Sequence, residues 1–193
     1  MSYDLIFLLE EPSIKIVLEE ILPTLIPDEV HYICIAHQGK QDLAKSIPKK
    51  IKAFQFKPAT KFVIVHDQDS HDCKTLKADL LKICQNAGKL DVSIRIICHE
   101  LESWFLGDLA AVEKAYALKP KSLSSKQDQR KFRDPDQLNS AKQELRKLVR
   151  EYYPATHAKA IAPHLSLADN KSHSFQVFLA GIRKLVNDKR EAN

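Results

Sequence analysis

Glycine is scarce in this chain, with four residues among 193, and long apolar runs are absent. The shortage of glycine excludes collagen-like and glycine-rich linker architectures. No apolar segment approaches the roughly 20 residues that a membrane-spanning helix requires. The N-terminus also lacks the charged region and cleavage site of a signal peptide. We therefore expect a cytoplasmic protein that does not associate with membranes.

The cysteines form no C-x-x-C pair, and two of them lie inside apolar, strand-like runs. This pattern favours buried, reduced thiols over disulfides or a structural zinc site. The residues concerned are Cys34, Cys73, Cys84 and Cys98.

Short apolar segments alternate with amphipathic ones through the first hundred residues. Strands are predicted at Tyr3–Leu9, Val30–Ala36, Lys61–His66 and Val92–Cys98. Apolar residues at helical spacing predict helices after Glu11, over Gln41–Ser46, over Pro48–Phe54 and over Cys73–Ala87. This alternation predicts an α/β fold with a mostly parallel sheet of about four strands, flanked by helices.

The pattern becomes helical after Cys98. Helices are predicted over His99–Ala117, from Asp134 to about Glu151, after Pro154 and over Ser172–Asn187. We therefore expect an α/β core over residues 1–107 and a C-terminal helical extension over residues 108–193 packed on it.

Positive charge is concentrated in the extension. The segment from Lys119 to Arg150 carries ten Lys or Arg against four Asp or Glu, so it contributes +6 while the rest of the chain contributes −1. A basic segment beside a nearly neutral domain fits a polyanionic partner such as nucleic acid. A solvated helical face explains the same count equally well.

Acidic residues follow three of the predicted strands. Glu10 ends the first, Asp67 and Asp69 end the third, and Glu102 follows the fourth. Ligands of open parallel sheets bind outside the carboxyl ends of the strands, so these carboxylates should meet at one edge. Asp67 and Asp69 are two residues apart, which lets both face one ion across a turn. Carboxylates brought together repel one another, and a divalent cation removes that penalty. Oxygen ligands favour Mg²⁺, Mn²⁺ or Ca²⁺ over zinc. Asp is also common in such loops as a helix cap, a role expected for Asp72.

Other polar residues near this edge are secondary candidates. His37 and Lys40 follow the second strand, where Gly39 would let the backbone approach a phosphate that Lys40 neutralises. In the extension, phosphate clamps are expected from Arg130, Lys131 and Arg133.

Histidines and a tryptophan also lie near the acidic loop. His66, His71 and His99 would suit zinc together with Cys73, although their spacing matches no standard module. His66 or His71 would also serve as a proton donor to a leaving oxygen. Trp104 would stack on a base or, as we favour, anchor the extension on the sheet.

Six segments in the same order resemble the DUF4276 family of small bacterial proteins, which is regarded as Toprim-like: IFLLEEPS, HQGKQDL, IVHDQDS, RIICHELESWFLGD, FRDPD and NKSHSF. The resemblance implies a Rossmann-like sheet with a Mg²⁺-dependent phosphodiester site. Under it, the Toprim glutamate corresponds to Glu10 and the D-x-D motif to Asp67 and Asp69. Glu102 is a further acidic contributor in the nuclease-type branch, which includes the overcoming-lysogenisation-defect proteins.

Two positions depart from the Toprim pattern. Toprim domains usually place glycine after the first glutamate, where this chain has Glu11, and an acidic residue three positions later, where it has Ile14. Both changes leave the three expected metal ligands in place.

The resemblance implies a metal-dependent nuclease, the effector of an anti-phage defence or toxin-type system working with an ABC- or AAA-type ATPase. In this view Glu10, Asp67, Asp69 and Glu102 are both catalytic residues and ligands of Mg²⁺ or Mn²⁺. The alternatives are a non-catalytic regulator or adaptor of an ATPase, and a module that uses the metal to dock a nucleotide or phosphorylated ligand.

Overall fold

A four-stranded sheet lies at the centre of the protein. The computed structural model describes residues 3–54, 59–149, 151 and 153–191. All strand pairs are parallel, and the spatial order is β2-β1-β3-β4. The strands are β1 (Leu5–Leu9), β2 (Tyr32–Ala36), β3 (Lys61–Asp67) and β4 (Val92–Ile97). The predicted α/β class with a parallel sheet is therefore confirmed.

The central strand explains why its sequence is continuously apolar. Every residue of β1 is fully buried, because strands pair on both of its sides and helices cover both of its faces. The pairing aligns Leu9 with Ala36 on one side and with Val65 on the other. The carboxyl ends of the strands consequently meet at one edge of the sheet.

Helices connect the strands and fill the C-terminal half of the chain. They are α1 (Pro12–Ile21), α2 (Lys40–Phe54), α3 (Cys73–Asn86), α4 (Glu102–Leu106), α5 (Leu109–Ala115), α6 (Ala141–Leu148), α7 (Pro154–Ile161) and α8 (His173–Glu191). Short 3-10 helices lie at Leu22–Thr24, Ser124–Lys126, Pro135–Gln137 and Ala162–His164.

Three helix predictions were wrong. The helix expected over His99–Ala117 begins only at Glu102 and is divided into α4 and α5, with Gly107 and Asp108 between them.

The two helices expected on either side of Ile47 are one helix, α2, with Pro48 inside it. Leu43, Ile47 and Ile51 lie four residues apart and are all buried, so packing along one face offsets the hydrogen bond that proline cannot donate.

The helix expected from Asp134 to about Glu151 is interrupted. Pro135–Gln137 is a single 3-10 turn, the backbone is extended at Leu138, and α6 starts only at Ala141. The helix ends before Val149, where the backbone is extended again. Arg150, within the expected helix and the basic segment, lies outside the described residues.

The sheet separates two apolar cores. The smaller one lies under α2 and α3. The larger one lies on the opposite face and joins side chains of β1 and α1 to those of α4–α8. Residues on both sides of position 107 therefore share one core, and the division of the chain at that position stays a prediction.

Trp104 joins the helical extension to the sheet. It is 1% exposed, and its ring centroid lies 4.9 Å from that of Phe175 and 5.3 Å from that of Phe178. Its indole Nε1 donates a hydrogen bond to Ser174 Oγ at 3.1 Å. The anchoring role expected for this residue agrees with these contacts, and stacking on a base is excluded by its burial.

All four cysteines are free thiols, but Cys73 and Cys98 are only half-buried, so the expected burial holds for the other two. Cys34 and Cys84 are buried, and burial raises the pKa of each thiol, to about 12 and about 11. Among the helices of the described residues, none is both long enough and apolar enough to span a bilayer.

Candidate functional site

Glu10 and Asp67 lie side by side where β1 and β3 end. The backbone N–H of Glu10 donates to Val65 O at 3.1 Å, which extends the sheet pairing by one residue. The Glu10 side chain then turns towards β3, where its Oε2 accepts the backbone N–H of Asp67 at 2.9 Å. Both carboxylates are buried, as the parallel register requires of residues at neighbouring strand ends.

His66, which precedes Asp67 on β3, contacts the Glu10 carboxylate. Its Nδ1 lies 2.9 Å from Glu10 Oε2, and both side chains are nearly inaccessible to solvent. Burial alone would raise the pKa of Glu10, but the hydrogen bond and charge of His66, with the Asp67 amide, lower it below its ordinary value. Burial likewise opposes protonation of His66, and Glu10 overcomes it to raise the His66 pKa.

Asp67 has the most perturbed carboxyl group of the site. Burial raises its pKa well above the ordinary value, and the charges of Glu11, Glu10 and Glu102 raise it further. Its Oδ2 accepts the backbone N–H of Leu101 at 3.4 Å, a long hydrogen bond. Its Oδ1 is buried and has no hydrogen-bond partner among the described residues. Such an oxygen is costly to bury unless something else completes its surroundings.

Asp69 has its side-chain contact with a lysine. Its backbone lies in the left-handed region, with φ of 51°, and its N–H donates to His99 O at 2.8 Å. Its Oδ2 lies 3.4 Å from Lys40 Nζ. The structure therefore brings Asp67 and Glu10 together and pairs Asp69 with Lys40.

Glu102 completes the acidic edge from α4. It is 3% exposed, and its Oε1 lies 3.7 Å from Lys142 Nζ. The neighbouring Glu100 accepts the backbone N–H of Lys142 at 2.9 Å, at the start of α6. The basic segment is thus attached to the acidic edge through Lys142, which sequence reasoning did not identify.

No three His, Cys, Asp or Glu side chains within the described residues are arranged so that together they would hold a metal ion. The four carboxylates expected as ligands do share one sheet edge, but Asp69 and Glu102 face lysines in this arrangement. The zinc alternative built on His66, His71, Cys73 and His99 gains no support. The ligand roles of Glu10, Asp67, Asp69 and Glu102 stay predictions.

Glu11, where Toprim domains usually have glycine, is bonded locally. Its Oε1 accepts a hydrogen bond from the Ser13 hydroxyl in the first turn of α1. Glu11 is also one of the charges that raise the Asp67 pKa. The departure therefore adds negative charge to the site.

His37 and Lys40 flank the glycine turn after β2. Gly39, with φ of 95°, adopts a backbone conformation that side chains disfavour, and its N–H donates to Glu10 O at 2.9 Å. His37 is buried, with Nδ1 2.9 Å from Leu9 O. Only Lys40 of the two is placed on the surface to meet a phosphate.

Arg130, Lys131 and Arg133 are exposed and line one groove of about 510 Å³. Asp134, Gln137 and Leu138 complete its lining. Lys131 also forms an ion pair with Glu144 and lies over the Phe132 ring. The three basic residues expected to bind phosphate therefore lie on one surface.

A second cavity lies beside the D-x-D loop and has a volume of about 590 Å³. It is lined by Gln68, Asp69, Ser70, His71, His99, Glu100 and Asn139. Asn139 was not singled out from the sequence, because it stands 40 residues beyond His99 and only the fold brings the two together. Asn139 lies between the 3-10 turn at Pro135–Gln137 and the start of α6 at Ala141. The sequence periodicity did not reveal this break in the expected helix.

Comparison with solved structures identifies the fold class. The C-terminal region of the Burkholderia pseudomallei OLD protein matches with a TM-score of 0.58 and 16% identity, over 96% of this chain and 100% of that one. The C-terminal region of the Xanthomonas campestris pv. campestris OLD protein matches with a TM-score of 0.53 and 16% identity, over 98% of each chain. At these identities the likeness concerns the fold.

A family model gives the narrower assignment. The model described as a domain of unknown function, DUF4276, matches residues 9–183. The chain therefore belongs to the DUF4276 family, as the sequence motifs predicted. No curated protein matches the chain.

Proposed function

We propose that this protein is a divalent-metal-dependent phosphodiesterase that cleaves nucleic acid. The observation that carries the proposal is the state of Asp67. Its carboxyl group is buried at the ligand-binding edge of a parallel sheet, among Glu10, Glu11 and Glu102, and one oxygen has no partner among the described residues. A site that gathers negative charge at such a cost suits a cation.

The donor chemistry fits Mg²⁺ or Mn²⁺, which prefer carboxylate oxygen. Asp67 and Glu10 would hold the ion. Asp69 and Glu102 would also bind it after their contacts with Lys40 and Lys142 are broken. When bound, a divalent cation polarises a phosphoryl oxygen and lowers the pKa of coordinated water.

The remaining residues would position and neutralise the substrate. His66 keeps the Glu10 carboxylate in one orientation through a buried contact of 2.9 Å. Lys40, released from Asp69, would approach a phosphate beside the acidic edge, while Arg130, Lys131 and Arg133 would bind the strand further along. Such contacts make affinity depend on salt concentration.

The direct test is metal-dependent cleavage. Purified protein is incubated with labelled DNA and RNA with Mg²⁺, Mn²⁺ or EDTA, beside the variant with Asp67→Ala and Asp69→Ala and the surface control Asp128→Ala. The expected result is cleavage that requires metal and survives only in the native protein and the control. Cleavage by the double variant would reject the assigned site.

A second function is favoured by the lysine contacts. Because Lys40 pairs with Asp69 and Lys142 with Glu102, part of the acidic edge is neutralised by the chain itself. That arrangement suits a non-catalytic regulator or adaptor of an ATPase. Metal binding without cleavage of DNA or RNA, alone or with the partner, would favour this alternative.

An ATPase partner and a role in anti-phage defence belong to the same proposal. They are supported by the family resemblance and by the likeness to regions described as C-terminal parts of OLD proteins. Co-purification of the protein with an ABC- or AAA-type ATPase encoded beside it, and metal-dependent cleavage stimulated by that ATPase and ATP, would test the partnership. Loss of phage protection in the Asp67→Ala variant would test the role in defence.

A further inference from the structure

The 590 Å³ cavity is lined by three segments: the loop after β3, the loop after β4 and the residues before α6. We call it the β3–β4 cleft. Its volume lies within the range of sites that enclose small organic ligands, about 300–1,000 Å³. A single nucleoside is small enough to fit within that volume. The cleft begins at Asp69 and is therefore continuous with the acidic edge.

Backbone contacts hold the two loops of the cleft together. Asp69 N–H donates to His99 O at 2.8 Å, and Gln68 N–H donates to Ile97 O at 2.9 Å. The Gln68 side chain accepts from His99 N at 3.3 Å and donates to His71 O at 2.9 Å. Asp69 and His99 both have positive φ, of 51° and 56°, which is uncommon for residues with side chains and is held by these contacts. The cleft is therefore formed before any ligand arrives.

The lining of the cleft suits an uncharged planar group. None of its seven lining residues is Lys or Arg. Its two carboxylates have partners outside the lining, since Asp69 pairs with Lys40 and Glu100 accepts the backbone N–H of Lys142. The lining itself therefore offers a phosphate no cation. The other groups are amides, imidazoles and one hydroxyl. His99 and Asn139 make no side-chain hydrogen bond with the described residues, so both are available to a ligand. Imidazole rings stack on bases, and amides bond to base edges.

A cationic groove adjoins this cleft along the chain. Gln137 and Leu138 line the groove that contains Arg130 and Arg133, and the next residue, Asn139, lines the cleft. Phosphates of a strand would lie in the groove while one base enters the cleft. A base paired and stacked in a duplex cannot enter, because it must first be unstacked.

We infer that the β3–β4 cleft binds one unpaired nucleobase of a single-stranded nucleic acid whose phosphates lie along the adjoining cationic groove. This inference rests on the proposed function, since it specifies the substrate at the same site. It assigns base contact to His99 and Asn139. It makes single strands, or duplexes that open locally, the preferred substrate.

Binding in EDTA tests the inference without any metal chemistry. Three probes of equal length are compared by fluorescence anisotropy: a single DNA strand, the same strand with every base removed, and the duplex. The native protein should bind the base-containing strand about tenfold more tightly than the abasic one, the size of one base contact. A 2-aminopurine in the strand should also change its fluorescence on binding.

Two variants and a matched control locate the base site. His99→Gly removes the imidazole and introduces the residue type that adopts positive φ without strain. Asn139→Leu replaces the amide by an apolar group of similar size, and Asn86→Leu makes the same change at the exposed end of α3. Both cleft variants should abolish the preference for the base-containing strand and leave binding of the abasic strand unchanged. Asn86→Leu should behave as the native protein.

Several outcomes would overturn the inference: equal binding of both strands by the native protein, tighter binding of the duplex, no binding of any probe, or an equal loss for both strands in the cleft variants. Circular dichroism and unfolding midpoints confirm that the variants are folded. A base preference in EDTA without metal-dependent cleavage would reject the catalytic proposal alone. Cleavage without a base preference would reject the cleft inference alone.

Discussion

His66 Nδ1 lies 2.9 Å from Glu10 Oε2, with both side chains almost completely buried. Glu10 directly follows β1, and His66 lies on the neighbouring strand β3. The contact forms because the Glu10 side chain points towards β3. The same Glu10 oxygen accepts the Asp67 amide at 2.9 Å. This pair therefore links the orientation of the first expected ligand to the position of the second.

Removing the imidazole should destabilise the protein. His66→Leu leaves the buried Glu10 carboxylate without the hydrogen-bond donor that contacts it, and we expect the free energy of unfolding to fall by about 3 kcal/mol. His66→Asn retains a donor near the position of Nδ1, so it should lose less. Urea unfolding at pH 7 measures both variants. Equal losses would show that packing, and not the contact with Glu10, makes His66 important.

Neutralising Asp67 should have opposite effects on stability and on metal binding. In EDTA, Asp67→Asn removes a carboxyl group whose ionisation is opposed by burial and by the charges of Glu11, Glu10 and Glu102, and should raise the free energy of unfolding by about 1 kcal/mol. Metal at a hundred times its dissociation constant should stabilise the native protein by about 2.7 kcal/mol and the variant by much less. Chemical unfolding with and without Mg²⁺ measures both effects.

The matched control for Asp67 is Asp128→Asn, an exposed aspartate in the extension. It should change neither the stability in EDTA nor the stabilisation by Mg²⁺. A destabilised Asp67→Asn variant would mean that the carboxylate is held by attractive contacts.

Changing Gly107 or Gly181 to alanine should have very different effects on the free energy of unfolding. At Gly107 a Cβ would overlap Asn170 Oδ1 and lie 2.7 Å from Ser172 N, the backbone group that precedes α8. Neither can withdraw easily, because Asn170 also bonds to Trp104 O at 2.8 Å and to Ser172 N at 2.9 Å. We expect Gly107→Ala to cost about 3 kcal/mol.

Gly181 lies inside α8, where the three atoms nearest to a Cβ all belong to the end of the Arg95 side chain. That side chain can move, and alanine favours the helix by about 1 kcal/mol. Gly181→Ala should therefore change stability by less than about 1 kcal/mol, as measured by urea unfolding. Similar losses at both positions would mean that Arg95 is rigidly held.

Glu113 should make part of the stability depend on acidic pH. Its carboxylate accepts backbone hydrogen bonds from Ser124, Leu123 and Lys121, which lower its pKa from 4.5 to about 2. A lowered pKa in the folded state gives stability that is present above pH 4.5 and is lost as the pH falls towards 2. The native protein should thus exceed Glu113→Gln in stability at pH 6, and this difference should shrink between pH 4.5 and pH 2. A difference that stays constant with pH would contradict the assignment.

Local sequence patterns determined much of the fold. The continuous apolar run from Leu5 to Leu9 indicated a strand buried on both faces, and the structure places it at the centre of the sheet. Asp72 was expected as a helix cap, and its side chain accepts the Thr75 N–H at 2.8 Å. Patterns of this kind involve residues within a few positions of one another, so the chain displays them directly.

Helix ends in the extension were harder to predict. The apolar spacing around α6 suggested one long helix, but the chain is extended at Leu138 and again at Val149. Pro48 had the opposite effect: it suggested a helix boundary, but packing keeps α2 continuous across it. In both cases the preference of the local sequence was weaker than the packing around it.

The sequence by itself determined that Glu10, Asp67, Asp69 and Glu102 would share one edge of a parallel sheet, because strand ends are encoded locally and parallel strands end at the same edge. Only the tertiary structure decided where each carboxylate points. The left-handed backbone at Asp69 directs its side chain to Lys40, while Glu10 meets His66. Asn139 enters the β3–β4 cleft 40 residues after His99. These contacts depend on distances and angles between segments far apart in the chain, which no local periodicity specifies.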